Sequence, residues 1–352
     1  MIKKIVALAV ALVLLLPSLV SCDNGSFVGF RQPREVTYYQ YFDTVINLSS
    51  VRMTKKEFEG HIAAAEERIK EYHRLFDIYY EYSGIQNLCT LNRAAGKGEP
   101  TKLSDSLFSF LESAVELYGV TGGKMNVMLG AVTSLWNTAR RDAAKGEAAL
   151  PAEAALAEAK KHISIESLVL DKENKTAYIS DPLASIDVGA FAKGYAAERV
   201  AELLLSRGVK EGFVLDFGGN LRVLGGREEG EPFVAGIHDP STEAIGNYLE
   251  QVQLCDGSLV TSGSYFRYFE IAGKCYHHLI DPETARPADR FASVSVMGKD
   301  SGLCDALSTA LFVSTYEEGC ALIQSLEGYE AVWILPSGEI LRTDGIDNYI
   351  VQ

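Results

Sequence analysis

Strand-like and helix-like segments follow one another from Thr37 to Gln352, and no linker divides them. Residues 37–51 are dense in aromatic and β-branched side chains, which predicts a strand. Residues 55–76 then place apolar side chains at helical spacing. Neither an internal repeat nor a proline-rich or glycine-rich stretch interrupts this alternation. We therefore expect a fold of the α+β class, a single mixed α/β domain over residues 37–352.

The same two periodicities predict the later elements. Two apolar runs around Gly218 and Gly219 predict a pair of strands in a buried sheet, and Ala272-Gly273 predicts a tight hairpin turn. Helices are expected at 103–118 and 301–313, and a strand at 293–297. The stretch 137–161 is rich in Ala, Glu and Lys, which is typical of surface helix and connector, so we expect no chemistry from it.

The first 21 residues form a separate unit. Lys3 and Lys4 precede an unbroken apolar run at 5–16, which is shorter than the ~20 residues that a membrane-spanning helix needs. This pattern predicts a secretory signal segment over residues 1–21. The ending L-V-S-C resembles a bacterial lipobox, in which Cys22 becomes lipidated; the alternative is an ordinary cleaved signal with an incidental Cys22. We expect a flexible tether over 22–36 and a protein exported to, and lipid-anchored on, the outer face of the bacterial cytoplasmic membrane.

Charge and cysteine content restrict the partners. The formal net charge of −14 argues against nucleic acid and against a polybasic membrane patch. Five cysteines follow Cys22, and they form neither a C-x-x-C pair nor a cluster with zinc spacing. We expect all five to be buried as small hydrophobes. One disulfide, in an exported protein, remains the alternative.

The stretch S-I-D-V-G-A-F-A-K-G-Y, residues 185–195, predicts a strand, a turn and the start of a helix. Glycine permits tight turns and a close approach to a ligand, and a helix N-terminus favours phosphate. Lys193 would add a positive charge, and Asp187 would accept a hydrogen bond from a sugar or a base. The alternative interpretation is plain scaffold, because this stretch matches neither the Walker pattern nor the dinucleotide fingerprint.

A second candidate site lies on the helix C-D-A-L-S-T-A-L-F-V. Asp305, Ser308 and Thr309 are spaced i, i+3 and i+4, so they share one helical face. Oxygen-bearing side chains with one carboxylate suit a hard cation such as Mg²⁺. The alternative is a helix cap with solvated hydroxyls.

Six motifs in order carry a resemblance to a known family: G-G-K-M-N-x-x-x-G, D-V-G-A-F-A-K-G-Y-A, F-G-G-N, T-S-G-S-Y, H-x-I-D-P-x-T-x-x-P and D-A-L-S-T-A-L-F. Together they resemble the ApbE family of flavin transferases, which move FMN from FAD onto a protein threonine. The resemblance covers nearly the whole chain from about residue 38 onward. It implies an ApbE-like domain, FAD as substrate and Mg²⁺ as cofactor. It also implies threonine-bearing acceptor subunits of exported redox complexes, such as sodium-pumping or Rnf-type complexes.

The resemblance also implies the site residues. The metal would lie between the carbonyl of Ala190, Asp305 and Thr309, with Ser308 close by. The implied flavin contacts are Phe42, Tyr79, Lys124, Met125, Asn126, Asp187, Lys193 and Ile280. Family members often carry aspartate where this chain has Asn126 and, in some cases, Ser308, so the metal here would have one carboxylate fewer.

His278 occupies the histidine position of the family and is the candidate base for the threonine hydroxyl, with Asp305 the second catalytic candidate. A histidine is suited to proton transfer near neutral pH. The expected activity is therefore FAD:protein FMN transfer with release of AMP. Two alternatives remain open: a Mg²⁺-dependent FAD pyrophosphatase that yields FMN and AMP, and a flavin-binding lipoprotein without catalysis.

Overall fold

The computed structural model describes residues 33–351, except for residues 228, 229, 243, 245 and 266. The predicted signal segment, Cys22 and the tether up to residue 32 lie outside the described residues. Within the described part of the chain, no helix combines the length and the apolar composition needed to cross a membrane.

The helices are α1 Lys55–Leu75, α2 Leu88–Arg93, α3 Asp105–Val120, α4 Gly130–Ala143, α5 Glu153–Ala159, α6 Ala192–Ser206, α7 Ser301–Val313 and α8 Tyr316–Gln324. The strands are β1 Arg34–Tyr38, β2 Ile46–Ser50, β3 Thr101–Lys102, β4 Leu168–Asp171, β5 Thr176–Ile179, β6 Phe213–Phe217, β7 Asn220–Leu224, β8 Phe233–His238, β9 Tyr248–Leu254, β10 Gly257–Gly263, β11 Tyr268–Ile271, β12 Lys274–His277, β13 Ile280–Asp281, β14 Arg286–Pro287, β15 Ser293–Gly298, β16 Glu330–Ile334 and β17 Ile340–Arg342. The predicted α+β class is confirmed.

An eight-stranded sheet organises the domain, in the order β1-β2-β6-β7-β10-β15-β16-β17. Each neighbouring pair runs antiparallel. Because side chains alternate along a strand, each strand sends one set to each face. On β7, Leu221 and Val223 face the hairpin of β8 and β9, whereas Leu224 joins the core beneath the helices. The sheet is therefore covered on both faces, by helices on one side and by a hairpin on the other.

Helices α6 and α7 cross over the helix-covered face of the sheet. Aromatic side chains fill the core below the start of α6, where the rings of Phe110 and Phe191 stack with centroids 4.6 Å apart. The rings of Tyr195 and Phe76 meet Phe110 at tilted or edge-on angles. This packing fixes the segment that precedes α6, which carries the candidate ligand residues.

Most predicted elements are confirmed, and two are wrong. The helix predicted at 301–313 is α7, and the strands predicted around Gly218 and Gly219 are β6 and β7. The single strand predicted over 37–51 is wrong, because β1 and β2 flank a turn in which Phe42 and Asp43 have positive φ. The strand predicted at the start of 185–195 is also wrong, since only Ser185 forms an isolated bridge there.

The cysteine prediction is correct only in part. Cys89 and Cys304 are buried, but Cys255 and Cys275 are exposed and Cys320 is half-buried. All five are free thiols, so the described part of the chain contains no disulfide. Cys255 lies in the connection between β9 and β10, and Cys275 lies on β12 of a two-stranded hairpin.

Candidate active site

The crossing of α6 and α7 brings the first turn of one helix against the other. A Cβ on Gly194 would lie 2.3 Å from the carbonyl oxygen of Ser301 and 2.5 Å from Cβ of Asp305. The backbone N–H of Gly194 donates to Asp305 Oδ2 at 2.8 Å. Because α6 begins without a side-chain cap of its own, Asp305 provides an acceptor for its N-terminus. Close helix packing therefore requires glycine at this position.

Alanine in place of Gly194 is expected to destabilise the protein, because the new Cβ meets backbone atoms that cannot move aside. Overpacking of this kind costs about 1–3 kcal/mol. Gly60, within α1, is the matched control: a Cβ there would meet no atom within 4 Å. Gly60→Ala should therefore raise stability, by up to about 1 kcal/mol. Urea denaturation measures both variants, and a Gly194→Ala protein as stable as the parent would contradict the packing described here.

Asp305 is the central charged group of this crossing. Its side chain is only 3% exposed, and Oδ2 lies 3.8 Å from Nζ of Lys193. Burial raises the pKa of the Asp305 carboxyl, while Lys193 and the N–H of Gly194 act in the opposite direction. The N–H that we expected to meet a phosphate is thus already bound to a carboxylate. A buried carboxylate with so few partners favours a nearby cation.

The other predicted metal residues lie beside Asp305. Thr309 Oγ1 donates to the carbonyl oxygen of Ala190 at 3.2 Å. The hydroxyl oxygens of Ser308 and Ser262 are 2.9 Å apart, and the Ser262 hydroxyl lies 3.4 Å from Thr309 Oγ1. The structure therefore brings a carbonyl, a carboxylate and hydroxyls from three segments of the chain into one place.

This set of oxygen atoms fits a hard cation. Mg²⁺ binds through one or two carboxylates and fills its remaining positions with water and phosphate oxygens. No group of three His, Cys, Asp or Glu residues in the described chain could hold a metal, so this site would depend on its carbonyl and hydroxyl ligands. The alternative of a helix cap with solvated hydroxyls is wrong. The cap of α7 is Asp300, which accepts from Leu303 N at 2.8 Å, and Ser308 is fully buried.

The two adjacent histidines have different environments. His277 donates from Nε2 to the carbonyl of Ala288 at 2.6 Å and accepts at Nδ1 from Leu279 N. Both of its ring nitrogens are therefore hydrogen-bonded to the backbone. His278 has no partner for Nδ1 among the described residues. Burial lowers the pKa of His278 well below its usual value, and Arg267 adds to this effect. His278 therefore stays neutral to more acidic pH than an ordinary histidine does.

A charged rim surrounds the phenol of Tyr79. Tyr79 is 65% exposed, and partial burial of its hydroxyl, followed by the nearby Asp187 carboxylate, raises its pKa. The positive charges of Arg140 and Arg267 act on that pKa in the opposite direction. Asp187 is held in place because Oδ2 accepts from Thr133 Oγ1 at 2.7 Å. An exposed ring between fixed charges is suited to stacking against a planar ligand.

Phe42 lies on the turn between β1 and β2, at a φ of 56°. Its N–H donates to Nδ1 of His73 at 3.2 Å, and its ring meets Phe76 and Phe217 edge-on. Arg267 reaches the same turn and donates to the carbonyl of Asp43 at 2.8 Å. The left-handed backbone of this turn is thus stabilised by a half-buried histidine and by an arginine of the rim.

A sequence model of the ApbE family matches residues 42–333, which include every residue of this site. The chain belongs to the ApbE family. A Treponema pallidum protein named FAD:protein FMN transferase is 32% identical over 341 residues, covering 92% of this chain and 91% of that protein. A Vibrio cholerae protein of the same name is 32% identical over 250 residues, covering 70% of each chain.

Solved ApbE structures share the fold. The ApbE protein from Thermotoga maritima aligns with a TM-score of 0.81 at 24% identity, covering 91% of this chain and 100% of that one. The flavin transferase ApbE from Vibrio cholerae aligns with a TM-score of 0.72 at 22% identity, covering 90% and 100%. These alignments confirm the ApbE-like domain expected from the motifs.

The remaining flavin-contact residues expected of an ApbE protein differ in accessibility. Met125 is fully buried in the main core, and Ile280 is 5% exposed, so a ligand would meet them chiefly through their backbone. The side-chain amide of Asn126 is already hydrogen-bonded within the protein, because Nδ2 donates to the carbonyl of Ile163 and Oδ1 accepts from Met128 N. Lys124 Nζ lies 2.6 Å from Glu283 Oε1.

Two arginines near this site, Arg140 and Arg267, were not among the residues predicted from the sequence. Arg140 lies on α4, inside the stretch 137–161 from which we expected no chemistry, and that expectation stays a prediction. Arg140 Nη1 donates to the carbonyl of Arg267 at 3.4 Å, and burial followed by the charge of Arg267 lowers the pKa of Arg140. No local pattern marks either residue. The amphipathic spacing of α4 around Trp136 was the one available signal, since it places Arg140 on the following turn.

Proposed function

We propose that this ApbE protein is a FAD:protein FMN transferase, which moves FMN from FAD onto a threonine hydroxyl and releases AMP. The acceptors would be threonine-bearing subunits of exported redox complexes. The observation that carries the proposal is the buried Asp305 carboxylate, which lies against the N-terminus of α6 and beside Lys193. Family membership over residues 42–333 and the names of the similar proteins support the same activity.

The reaction exchanges the phosphoanhydride bond of FAD for a phosphoester bond to the threonine. The threonine Oγ forms a bond to the phosphorus of the FMN half of FAD, and the bridging P–O bond to the AMP half breaks. AMP leaves with the bridging oxygen, and the threonine proton passes to a base. Charge develops on the bridging and non-bridging oxygens, so the site must place positive charge near the pyrophosphate.

Two features meet this requirement: Lys193 and the oxygen cluster, which consists of the Ala190 carbonyl, the Asp305 carboxylate and the hydroxyls of Ser308 and Thr309. Lys193 is held near the cluster, with Nζ 3.8 Å from Asp305 Oδ2. Asp305, Thr309 and the carbonyl of Ala190 would hold Mg²⁺, with Ser308 behind them. When bound there, Mg²⁺ neutralises charge on the pyrophosphate. Asp305 is the only carboxylate of this set, so it contributes the largest share of the attraction for a cation.

His278 would accept the threonine proton. Its lowered pKa keeps the imidazole neutral in the free enzyme, and its Nδ1 has no hydrogen-bond partner among the described residues. Lys193, Arg140 and Arg267 lower that pKa together with burial. The negative charge of bound FAD offsets these cations, so the pKa of His278 rises towards the range useful for a base once substrate is present.

The flavin would bind between the two loops that carry Phe42 and Tyr79. Asp187 would accept a hydrogen bond, and the corner formed by Lys124, Met125 and Asn126 would form one wall, with Ile280 opposite. Arg140 and Arg267 would close the rim around Tyr79. Aromatic rings backed by guanidinium groups stack well on planar ligands.

Product analysis separates the possible activities. The full chain is incubated with FAD and Mg²⁺, with and without a threonine-bearing domain of a redox subunit, and AMP and FMN are quantified by chromatography. Transferase activity predicts AMP release that depends on the acceptor, without free FMN. Equal amounts of AMP and free FMN, whether or not acceptor is present, would identify a pyrophosphatase. No AMP in either sample would identify a binding protein.

We also propose that the enzyme is lipid-anchored at Cys22 outside the cytoplasmic membrane, where exported acceptors are accessible. Cys22→Ser should release the protein from the membrane fraction or leave its signal segment uncleaved. Fractionation with measurement of the N-terminal mass tests this, and Cys89→Ser, at a buried thiol far along the chain, serves as the control. An unchanged membrane fraction together with an unchanged N-terminal mass would contradict the anchor.

A further inference from the structure

The turn between β1 and β2, residues 41–44, has an unusual backbone, and we call it the strained turn. The N–H of Thr44 donates to the carbonyl of Tyr41 at 3.2 Å, and Phe42 and Asp43 between them have φ values of 56° and 50°. Glycine adopts such left-handed angles freely, whereas a bulky side chain such as that of Phe42 makes them rare. Strained backbone persists only where its surroundings hold it, and it is concentrated at ligand sites.

The inner side of the strained turn packs against the turn between β6 and β7. The rings of Phe42 and Phe217 lie with centroids 6.3 Å apart, and a Cβ on Gly218 would lie 1.9 Å from Oγ1 of Thr44. This close approach explains the first glycine of the motif F-G-G-N. The N–H of Phe42 also donates to Nδ1 of His73 at 3.2 Å. None of these contacts involves the second left-handed residue.

Arg267 holds that second residue, Asp43, from outside. Its Nη2 donates to the carbonyl oxygen of Asp43 at 2.8 Å. The same Nη2 lies 3.4 Å from Asp43 Oδ2, but this carboxylate is 96% exposed, so the ion pair contributes little. The hydrogen bond to the carbonyl is charge-assisted, and such bonds are roughly twice as strong as neutral ones. Arg267 therefore acts on the turn chiefly through the backbone of Asp43.

Helix α4 supports Arg267 in turn. Arg140 Nη1 donates to the carbonyl of Arg267 at 3.4 Å, and Arg140 Nη2 donates to Oδ1 of Asn137 at 3.2 Å. On the same helix, Thr133 Oγ1 donates to Oδ2 of Asp187 at 2.7 Å. One helix thus contacts both the arginine that holds the strained turn and a proposed flavin contact.

We infer that Arg267 is a positioning residue, whose guanidinium group holds the strained turn in the conformation that presents Phe42 to the flavin. The inference rests on the proposed flavin contact of Phe42 and deepens it. Phe42 is half-buried, so its ring packs on the core while part of it stays accessible. Without Arg267 the turn would relax towards negative φ, and FAD binding would have to restore the left-handed conformation. Preorganisation improves affinity because it removes this cost.

FAD binding by the full chain tests this inference, measured by stopped-flow flavin fluorescence with Mg²⁺ and without acceptor. Arg267→Met keeps an aliphatic stem, removes every donor and leaves no cavity, because Arg267 is exposed. It should raise the FAD dissociation constant about 10-fold or more, as the loss of a charge-assisted hydrogen bond does. Arg207→Met is the matched control, because exposed Arg207 also donates to a backbone carbonyl, that of Gly60, at 3.1 Å. The control should bind FAD as the parent does.

Substitutions of Asp43 separate positioning from a direct effect of the arginine charge on FAD. Glycine adopts positive φ without strain, so Asp43→Gly favours the left-handed turn even without Arg267. Asp43→Gly alone should bind FAD at least as tightly as the parent, and in the Arg267→Met protein it should restore most of the lost affinity. Asp43→Ala removes the same carboxylate but keeps a Cβ, so it should not restore the affinity.

The outcomes distinguish the inference from the proposed function. A parent protein that binds no FAD would overturn the proposed flavin site, and the inference with it. A parent that binds FAD, with Arg267→Met binding equally well, would overturn the role of Arg267 and leave the flavin site intact. Failure of Asp43→Gly to restore affinity, equal restoration by Asp43→Ala, or equal weakening by Arg207→Met would each overturn positioning through the turn.

Discussion

Replacing Asp305 by alanine is expected to abolish both AMP release and FMN transfer. Asp305 is the only carboxylate of the oxygen cluster, and its negative charge is held in a site that is 3% exposed. Loss of a charge-stabilising group at a transferring phosphate costs on the order of 10²- to 10³-fold or more in rate. Excess Mg²⁺ should rescue little, because the remaining ligands are neutral.

Three further variants make the result specific. Asp305→Asn keeps the shape and an acceptor for the N–H of Gly194, so it should fold while remaining inactive. Asp171→Ala removes an exposed carboxylate at the end of β4 and should leave activity unchanged. Thr309→Ala removes a neutral ligand, so added Mg²⁺ should restore part of its activity. A folded Asp305→Asn protein with parental activity would contradict the metal site.

Replacing His278 by asparagine is expected to slow FMN transfer by about 10²- to 10⁴-fold, the usual contribution of a positioned base. FAD affinity should stay close to that of the parent, because the proposed role is to accept the threonine proton. Stopped-flow fluorescence of the flavin measures binding, and the transfer assay measures the rate. His61→Asn is the matched control, since His61 is also a histidine with an unpartnered Nδ1 and a pKa lowered by burial.

The pH dependence follows from the direction of the pKa shift. The pKa of His278 is lowered in the free enzyme, so the neutral imidazole persists as pH falls past the ordinary histidine range. The value of kcat/KM, which reports the free enzyme, should therefore stay level through the pH range in which an ordinary histidine titrates and decline only at more acidic pH. The residual rate of His278→Asn should lack that acid limb. Loss of FAD affinity with normal turnover would instead make His278 a binding residue.

Local patterns predicted the elements that local interactions determine. The bounds of α7 follow from its apolar composition and from Asp300, whose side chain caps its first turn. The hairpin turn at Ala272-Gly273 is formed with both residues at positive φ, as such a turn requires. The strand error over 37–51 has a local cause too, because aromatic residues continue through a turn that only its backbone geometry reveals.

The arrangement of the site depends on contacts between distant segments, which spacing along the chain does not encode. In the eight-stranded sheet, β2 lies beside β6 and β10 lies beside β15, although the members of each pair are far apart in sequence. Gly194 and Asp305 meet across 111 positions, and Arg267 reaches Asp43 across 224. Family motifs could indicate which residues matter, but not that Asp305 occupies the N-terminus of α6. They also carried no sign of Arg140 or Arg267.

The most direct test of the proposed function is the mass of the acceptor itself. The full chain is incubated with FAD, Mg²⁺ and a threonine-bearing domain of an exported redox subunit, and the intact acceptor is then analysed by mass spectrometry with peptide mapping. A matched acceptor with alanine at the threonine serves as control. The account predicts one added FMN on the threonine, one AMP released for each modified acceptor, and no modification of the control. AMP released with an acceptor of unchanged mass, or FMN found equally on the alanine control, would contradict it.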